Sequence, residues 1–349
     1  MVLAERTKKL NHVTAIMSLC ARYILRASFA GPRAARCVSG SAAARAGDGG
    51  PPAASDADSV LLRVDARGFA TMTLNRPKLF NAFSDGVINR LVSLCADLRA
   101  TRGTYVCVGG GRRGCPTRRV RARGVGVRGL FLRAEGKAFC AGADLGWMKR
   151  TTGYPRERNL ADAVVLSEML ASFNTLPFPT VALVQGAAMG GGVGMVSVCD
   201  IAVGVASCSF TLSEVKLGLI PATISPYVVA RMGAANARRY FLTAERLDAA
   251  TAARVGLLHE VVPDAAGLDQ WEAEFRARIT DASPMAVAAS KELVFAVAGA
   301  RVDRAVMADT ARRLCDARAS PDGAEGLTAF FEKRRPAWNT NPDAPAKAQ

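Results

Sequence analysis

Three consecutive glycines, Gly190–Gly192, lie where an apolar run typical of a strand changes into a helix, in the segment VQGAAMGGGVGMVSVCDIA. Glycine lets the backbone come close to a ligand at such a point. The first turn of a helix has N–H groups without internal partners, and their dipoles suit a negative charge in front of them. The segment therefore predicts a strand, a turn and a helix that together stabilise an anion.

A second turn rich in backbone donors, GKAFCAGADL at Gly136–Leu145, follows the apolar strand Gly129–Ala134. A single acid, Glu214, lies further along in SFTLSEVKLGLIP. Two groups of N–H donors and one carboxylate are what the formation of an enolate requires. We therefore predict an enolate-forming site made from these three segments.

The chain resembles the enoyl-CoA hydratase/isomerase (crotonase) superfamily, and most closely its methylglutaconyl-CoA hydratase-like members. The resemblance depends on the order of several motifs, because a glycine triplet alone more often marks a tight turn. These motifs are FATMTLNRPKLFNAFS, the two glycine-containing segments, LTAERLDAATAARVGLLHEVVP and GLTAFFEKRRPAW. The resemblance implies an α/β fold, a crotonase-like spiral of ββα units with a C-terminal helical region that packs between subunits.

Patterning along the chain gives the expected elements. Strand and helix periods predict a hairpin of Val60–Val64 with Ala70–Asn75, strands at Gly129–Ala134, Thr180–Gln185, Ile201–Val205 and Ser209–Leu212, helices at Asp85–Ala100 and Leu160–Leu176, and an almost wholly helical chain after Pro221. We expect the spiral core at residues 59–263 and a helical trimerisation region at residues 264–349.

The net charge of +16 is concentrated in two segments. Residues 1–47 contain eight Lys or Arg and one acid, Glu5, and are rich in Ala and Ser, which predicts a mitochondrial transit peptide and a matrix location. A disordered basic tail is the alternative. Residues 48–58 are predicted to be a linker.

The second basic segment is an Arg/Gly-rich insertion at about residues 104–123, within a stretch, 101–128, that has eight Arg and no acid. Like charges among glycines predict an exposed loop, with a nucleic-acid or phosphate patch as the alternative. In one member of the family that the chain resembles, RNA binding is associated with a lysine-rich helix. The corresponding helix here, Asp85–Ala100, carries only Arg90 and Arg99 as basic residues, so RNA binding is not favoured. No apolar run reaches the roughly 18 residues that span a bilayer, so we expect no membrane partner.

Nine cysteines include no C-x-x-C pair, and the two histidines are His12 and His259. This pattern predicts no metal site and no disulfide framework. Cys140 lies inside the second turn, but no histidine in a matching segment could activate it, so we interpret it as a small apolar filler.

The resemblance implies a role for each site residue. The backbone amides of Ala143 and Gly191 would bind the thioester oxygen, and Glu214 would be the acid–base, with an exposed turn carboxylate as the alternative. Coenzyme A, as part of an acyl-CoA thioester substrate and with no separate cofactor, would contact Lys78, Leu79, Asn81, Ala141, Gly142, Asp144, Leu145, Gly190, Phe330 and Lys333. Phe330 and Lys333 would contact the coenzyme A bound to a neighbouring subunit of a trimer or a dimer of trimers.

The sequence departs from the best-known hydratases at Gly194, where the family has the first of two glutamates. Asp200 keeps its family position as a structural residue. A hydratase or a Δ3-Δ2-enoyl-CoA isomerase could work with Glu214 alone, and a CoA- or RNA-binding pseudoenzyme is a third possibility. With Gly194, the segment PATISPYV resembles hydratases of branched, carboxylated enoyl-CoAs, and this resemblance implies a substrate such as 3-methylglutaconyl-CoA of leucine degradation. Candidate partners for its carboxylate are Arg231, Arg238, Arg239 and Arg246.

Overall fold

The computed structural model describes residues 58–100 and 126–339. The predicted transit peptide, the linker apart from Asp58 and the Arg/Gly-rich insertion lie outside the described residues, as do positions 340–349 of the predicted C-terminal region. Those assignments stay predictions.

The described residues form short strands and longer helices. The strands are β1 Val60–Val64, β2 Phe69–Leu74, β3 Gly129–Ala134, β4 Ala138–Cys140, β5 Thr180–Val184, β6 Ala187–Met189, β7 Ile201–Val205, β8 Ser209–Thr211, β9 Leu247–Asp248 and β10 Glu260–Val262. The helices are α1 Asp85–Ala100, α2 Leu145–Thr151, α3 Arg156–Asn174, α4 Gly191–Val198, α5 Ser225–Thr243, α6 Ala249–Arg254, α7 Ala265–Asp281, α8 Pro284–Val297, α9 Arg304–Ala319 and α10 Pro321–Phe331. Two 3-10 turns are Pro77–Leu79 and Glu214–Leu217.

The strands form two sheets. The larger sheet has the order β1-β2-β3-β5-β7-β10, in which β1 and β2 are an antiparallel hairpin and the other pairs are parallel. The smaller sheet has the order β4-β6-β8-β9, in which the first three strands are parallel and β9 is antiparallel. Parallel neighbours cannot be joined by a tight hairpin, so the helices supply the return connections.

Successive units of the chain contribute one strand to each sheet. The pairs β3 and β4, β5 and β6, and β7 and β8 each place the first strand in the larger sheet and the second in the smaller. Helices α2 and α3 follow the first pair, α4 follows the second, and α5 follows the third. Each unit moves the path along by one strand in both sheets, so the predicted α/β spiral of ββα units is confirmed.

The hydrophobic core is formed by apolar side chains of the strands and of the helices that cover them. Strand β5 is buried along its whole length, as expected for a central parallel strand that is covered on both faces. Helix α1 buries Leu91, Leu94 and Cys95 at the spacing of one helical face. Helices α1 and α3 pack against each other beside the larger sheet.

An ion pair links the helical region after Pro263 to the larger sheet. The Lys291 ammonium on α8 donates to Asp200 at 2.7 Å, and the same carboxylate accepts from the Thr180 N–H at 2.8 Å. Asp200 is therefore a structural link between α8 and the start of β5. Among the described helices, none is long and apolar enough to cross a membrane.

The observed elements differ from the predicted ones in detail. The predicted helix Leu160–Leu176 is observed at Arg156–Asn174, with Pro155 as its N-cap. The chain after Pro221 is almost wholly helical, as predicted, and adds the short strands β9 and β10. Helix α2 was not predicted, and it begins at the side-chain cap of Asp144, which accepts from two backbone N–H groups.

Candidate active site

The site lies at one edge of the smaller sheet. Strands β4, β6 and β8 are parallel neighbours, so they end at the same edge. The segment that follows β4 contains Ala141–Asp144, the segment that follows β6 contains Gly190 and Gly191, and the segment that follows β8 leads to Glu214. Ligands of parallel sheets commonly bind beyond the carboxyl ends of the strands. The topology therefore brings together the three segments that the sequence predicts.

The turn after β4 is fixed against the chain on both sides. The Phe83 N–H donates to the Gly142 carbonyl at 2.7 Å, and the Asp144 N–H donates to the Phe83 carbonyl at 2.8 Å. Gly142 has a φ of 87°, and a Cβ there would lie 3.0 Å from the Met189 carbonyl oxygen and 3.7 Å from the Gly191 nitrogen. The turns after β4 and β6 are thus in direct contact.

The turn after β6 depends on Gly190. Its φ is 46°, in the left-handed region, and its N–H donates to the Thr211 carbonyl of β8 at 2.9 Å. A Cβ at this position would lie 2.9 Å from Oε1 of Glu214. A side chain at residue 190 would be strained and would also press on the carboxylate, so glycine is required here.

The predicted donors are Ala143 and Gly191. Gly191 is the first residue of α4, where an N–H has no partner within the helix. Among the backbone hydrogen bonds found in the described turns and loops, none has the N–H of either residue as donor. The two turns that carry them are in contact through Gly142, Met189 and Gly191. This arrangement suits a shared oxyanion site.

Glu214 opens the 3-10 turn after β8 and is partly buried. Burial raises the pKa of its carboxyl above the ordinary value, and a hydrogen bond from its own backbone opposes this only in part. Its Oε2 atom is buried and has no hydrogen-bond partner. A buried carboxyl oxygen without a partner is costly, and such groups are common where a proton is transferred. The alternative, an exposed turn carboxylate, does not fit this burial.

The turn at Lys78–Asn81 lies next to the segment after β4. Lys78 and Leu79 are exposed, which leaves them free to contact a ligand. Asn81 is different, because it is buried and its amide donates to the Glu135 and Ala138 carbonyls at 2.8 and 2.9 Å. Its Oδ1 accepts from the Arg76 N–H. The Asn81 side chain therefore holds the turn. Its backbone N–H also donates to the Arg76 carbonyl at 3.0 Å, which leaves the backbone carbonyl to contact a ligand.

Asp144 and Leu145 also differ in role. The Asp144 carboxylate caps α2 and forms an ion pair with Arg76 at 3.1 Å, so its side chain is engaged within the protein. Leu145 is 81% exposed at the start of α2. We call the turn after β4, Ala141–Asp144, the donor turn. Of these two predicted contacts, Leu145 is the one whose side chain faces solvent beside it.

Phe330 and Lys333 lie at and just after the end of α10, and Phe330 is exposed. The chain beyond them is anchored at the start of β3, where the Arg128 guanidinium donates to the Trp338 carbonyl. The segment that carries these two residues is thus held beside the start of β3, and their contact with coenzyme A stays a prediction.

Two residues of the site were not predicted. Met189 ends β6, is 40% exposed and presents its carbonyl to Gly142. Phe83 is buried, and its ring would lie 3.2 Å from a Cβ on Gly191. The apolar residue within NAFS is a signal for Phe83, but nothing in the sequence pattern pairs it with the glycine turn.

The other candidate groups are engaged or inert. Burial raises the pKa of the Cys140 thiol to about 12, so at neutral pH it is not a nucleophile. Arg231 donates to the Leu257 and Cys199 carbonyls and contacts His259, and Arg239 pairs with Glu245. In the described part of the chain, no group of three or more His, Cys, Asp or Glu could hold a metal ion.

Backbone donors from two turns beside one desolvated carboxyl define an enzyme that stabilises negative charge on an oxygen while moving a proton. Comparison with known families agrees with that class. The family model described as enoyl-CoA hydratase/isomerase matches residues 122–341, and this chain belongs to that family.

Known proteins of similar structure or sequence include the following three. The solved structure of an enoyl-CoA hydratase from Shewanella pealeana is 36% identical, with a TM-score of 0.71 over 82% of this chain and 100% of that one. Pseudomonas aeruginosa AtuE is 34% identical, with a TM-score of 0.70 over 81% of this chain and 100% of that one. A mitochondrial Delta(3,5)-Delta(2,4)-dienoyl-CoA isomerase from Dictyostelium discoideum is 27% identical over 79% of this chain and 89% of its own. The chain is thus an enzyme of the crotonase superfamily.

Proposed function

We propose that this protein is an enoyl-CoA hydratase that adds water to a branched, carboxylated α,β-unsaturated acyl-CoA such as 3-methylglutaconyl-CoA. The observation that carries the proposal is the buried, unpartnered Oε2 of Glu214 beside the turns of Ala143 and Gly191. Several relatives bear the name enoyl-CoA hydratase, including the Shewanella protein.

The chemistry follows from these groups. Glu214, as carboxylate, takes a proton from water while the water oxygen forms a bond to C3 of the enoyl thioester. The electron pair of the double bond moves to the thioester oxygen, where the Ala143 and Gly191 N–H groups donate to the developing charge; each such donor is worth a factor of about 10²–10³ in rate. The Glu214 carboxyl then returns its proton to C2. Glu214 ends as it began, and the product is a 3-hydroxyacyl-CoA.

The acyl group is proposed from the segment PATISPYV and from Gly194. Glycine at residue 194 leaves Glu214 as the one carboxylate assigned to the reaction. Arg231 and Arg239 are engaged with other groups, which leaves Arg238 and Arg246, both exposed, as the remaining candidates for a substrate carboxylate.

Coenzyme A is proposed as part of the substrate, with no separate cofactor. Its contacts are the exposed Lys78, Leu79 and Leu145 and the backbone of Asn81 and of Ala141–Asp144. We assign Phe330 and Lys333 to the site of a second copy in a homotrimer or a dimer of trimers. The anchoring of their segment at the start of β3 supports this assignment. The composition of residues 1–47 supports import into the mitochondrial matrix.

A Δ3-Δ2-enoyl-CoA isomerase is the second candidate. A single carboxyl can carry a proton from C2 to C4 with the same two N–H donors, and the Dictyostelium relative is named as an isomerase of a related substrate. The two reactions differ in whether water enters the product.

The deciding experiment uses the full chain and three thioesters: 3-methylglutaconyl-CoA, crotonyl-CoA and a 3-enoyl-CoA. We expect kcat/KM to be highest for hydration of 3-methylglutaconyl-CoA, with ¹⁸O from labelled water in the product. Turnover of the 3-enoyl-CoA alone, without ¹⁸O, would establish the isomerase instead. Salt-sensitive RNA binding without turnover of any thioester would identify a pseudoenzyme.

A further inference from the structure

Helix α4 has one glycine at its N-cap and another one turn later. The Gly194 N–H donates to the Gly190 carbonyl at 3.2 Å, so the two residues are one helical turn apart, although Gly190 itself has a non-helical backbone with a φ of 46°. Oε1 of Glu214 lies 2.9 Å from where a Cβ on Gly190 would be. Cγ2 of Ile224 lies 2.2 Å from where a Cβ on Gly194 would be. Glu214 and Ile224 therefore pack against positions that lie one turn apart at the start of α4.

Ile224 is firmly held in this position. Only 2% of its surface is exposed, and its carbonyl accepts from the Tyr227 and Val228 N–H groups, at 3.1 Å each, at the start of α5. Its own Cβ lies 2.9 Å from where a Cβ on Gly194 would be, and Leu170 of α3 approaches that point to 3.7 Å. No side chain fits on residue 194 while Ile224 is in place.

We propose that Ile224 is a positioning residue of the active site: its branched side chain fills the space beside Glu214 on α4, excludes water and any second side chain there, and leaves Glu214 to move the proton alone. The proposal rests on the proposed function only in taking Glu214 as the acid–base. Helix α4 and the loop before α5 meet at this contact, so it also fixes the start of α4, where Gly191 donates.

The charged and titratable groups on the elements around Glu214 are engaged elsewhere or exposed. Helix α4 has none in its sequence, the same 3-10 turn carries the exposed Lys216, and Asp144 on the turn after β4 is paired with Arg76. Helix α5 carries Tyr227, whose own pKa is raised by burial, together with Tyr240 and three arginines, of which Arg231 and Arg239 are bonded within the protein and Arg238 is exposed. Burial is the main cause of the raised Glu214 pKa. Opening the Ile224 contact should therefore change the titration of Glu214 through access of water.

The first test is a double-mutant cycle of Gly194→Ala, Ile224→Gly and both together in the full chain, with 3-methylglutaconyl-CoA hydration as the assay. Glycine is used at residue 224 because the Cβ of Ile224 would itself lie 2.9 Å from the new methyl group. We expect each single variant to lose activity and the double variant to be about tenfold more active than independent effects allow, because the methyl group added at residue 194 enters the space that the Ile224 side chain vacates. Additive losses would overturn the proposal. Ile224→Val, which removes one methyl, should show a smaller loss than Ile224→Ala.

The second test does not need turnover, so it separates this proposal from the proposed function. A carboxyl whose pKa is raised by folding favours the folded state below its unfolded pKa, and this contribution is lost as pH rises through the folded pKa. Glu214→Gln should therefore raise Tm relative to the parent more at pH 8 than at pH 5. In an Ile224→Ala background this pH-dependent gain should shrink, since water reaches the carboxylate.

A matched control is available away from the site. A Cβ on Gly204 of β7 would lie 2.7 Å from Sγ of Cys208 and 2.8 Å from Cδ1 of Leu258, so Leu258→Ala truncates a buried side chain that packs on a glycine, as Ile224→Ala does beside Gly194. Leu258→Ala should lower Tm yet leave the pH-dependent gain of Glu214→Gln unchanged. An equal gain in the Ile224→Ala and Leu258→Ala backgrounds would show that Ile224 has only a structural role. That result would leave the proposed function intact.

Discussion

At the scale of single residues, the site depends on one carboxyl in an unfavourable environment. Glu214 has a buried oxygen without a partner, and burial raises its pKa. A proton acceptor with a raised pKa is a stronger base once ionised, which suits removal of a proton from water. The cost is borne by the folded state, as is usual at active sites.

Replacing this carboxyl tests its role directly. We expect Glu214→Gln to lower kcat by at least about 10²-fold, because the amide cannot accept the proton, while the affinity for coenzyme A changes little. Steady-state hydration kinetics and calorimetric titration with coenzyme A measure the two effects. Glu157→Gln, an exposed acid in the first turn of α3, serves as the control and should match the parent. Retained turnover in Glu214→Gln would refute the assignment.

The pH profile gives an independent prediction. Hydration requires ionised Glu214, so kcat/KM should fall as the pH is lowered through its raised pKa, which lies above the ordinary value for a glutamate. A profile of kcat/KM from pH 4 to 9, with buffers of constant ionic strength, measures the acidic limb. A limb at the ordinary carboxyl pKa would contradict the burial of Glu214.

At the scale of elements, the donor turn is held by its neighbours. The Asp144 carboxylate accepts from the Gly146 and Trp147 N–H groups at the start of α2 and pairs with Arg76 on the turn that contains Asn81. One side chain thereby connects the cap of α2 with the segment that is proposed to contact coenzyme A.

Two substitutions separate the cap from the ion pair. Asp144→Ala removes both, and loss of an N-cap costs about 1 kcal/mol of unfolding free energy. Asp144→Asn keeps a capping oxygen and loses only the charge, so it should be the more stable of the two variants. Urea unfolding of both variants measures the difference. Equal stabilities would mean that the cap contributes nothing measurable.

The sequence predicts the long elements because their periods extend over several residues. Helix α1 and strands β1, β3 and β7 have the predicted bounds, and the three segments that carry the predicted site residues follow neighbouring strands of the smaller sheet. Strands β4, β6 and β9 have two or three residues, too few to show a period of two, so only the hydrogen bonds between strands reveal them.

The sequence also could not predict which polar side chains of the site are hydrogen-bonded within the protein. Asn81 lies in a motif that resembles a coenzyme A contact, yet it is buried and bonded to backbone carbonyls. Arg231 was a candidate for a substrate carboxylate, yet it binds two carbonyls of the protein. Which polar group is engaged depends on tertiary contacts between segments that are distant in sequence.

At the scale of the whole molecule, the C-terminal helices leave many apolar side chains uncovered. The exposed ones on α8, α9 and α10 are Met285, Val294, Phe295, Val297, Met307, Leu314, Leu327, Phe330 and Phe331. An exposed apolar surface of this kind is typical of protein interfaces. It agrees with the proposed association of copies.

Association should be required for full activity if Phe330 and Lys333 complete the site of a second copy. We expect the double variant Phe330→Ala and Lys333→Ala to raise KM for the acyl-CoA while kcat changes little, because both residues would bind the coenzyme A portion. Sedimentation velocity should show a trimer or hexamer in the parent. A monomer with unchanged specific activity on dilution would contradict this assignment.

The common edge of β4, β6 and β8 has a consequence for tolerance to extra sequence. All three functional turns follow the C-terminal ends of their strands, whereas the chain enters β3, a strand of the larger sheet, at its N-terminal end at Gly129. We therefore expect sequence inserted before β3 to leave the register among β4, β6 and β8 unchanged. Chains of this architecture can therefore acquire new segments there, with new binding properties, while the chemistry stays constant.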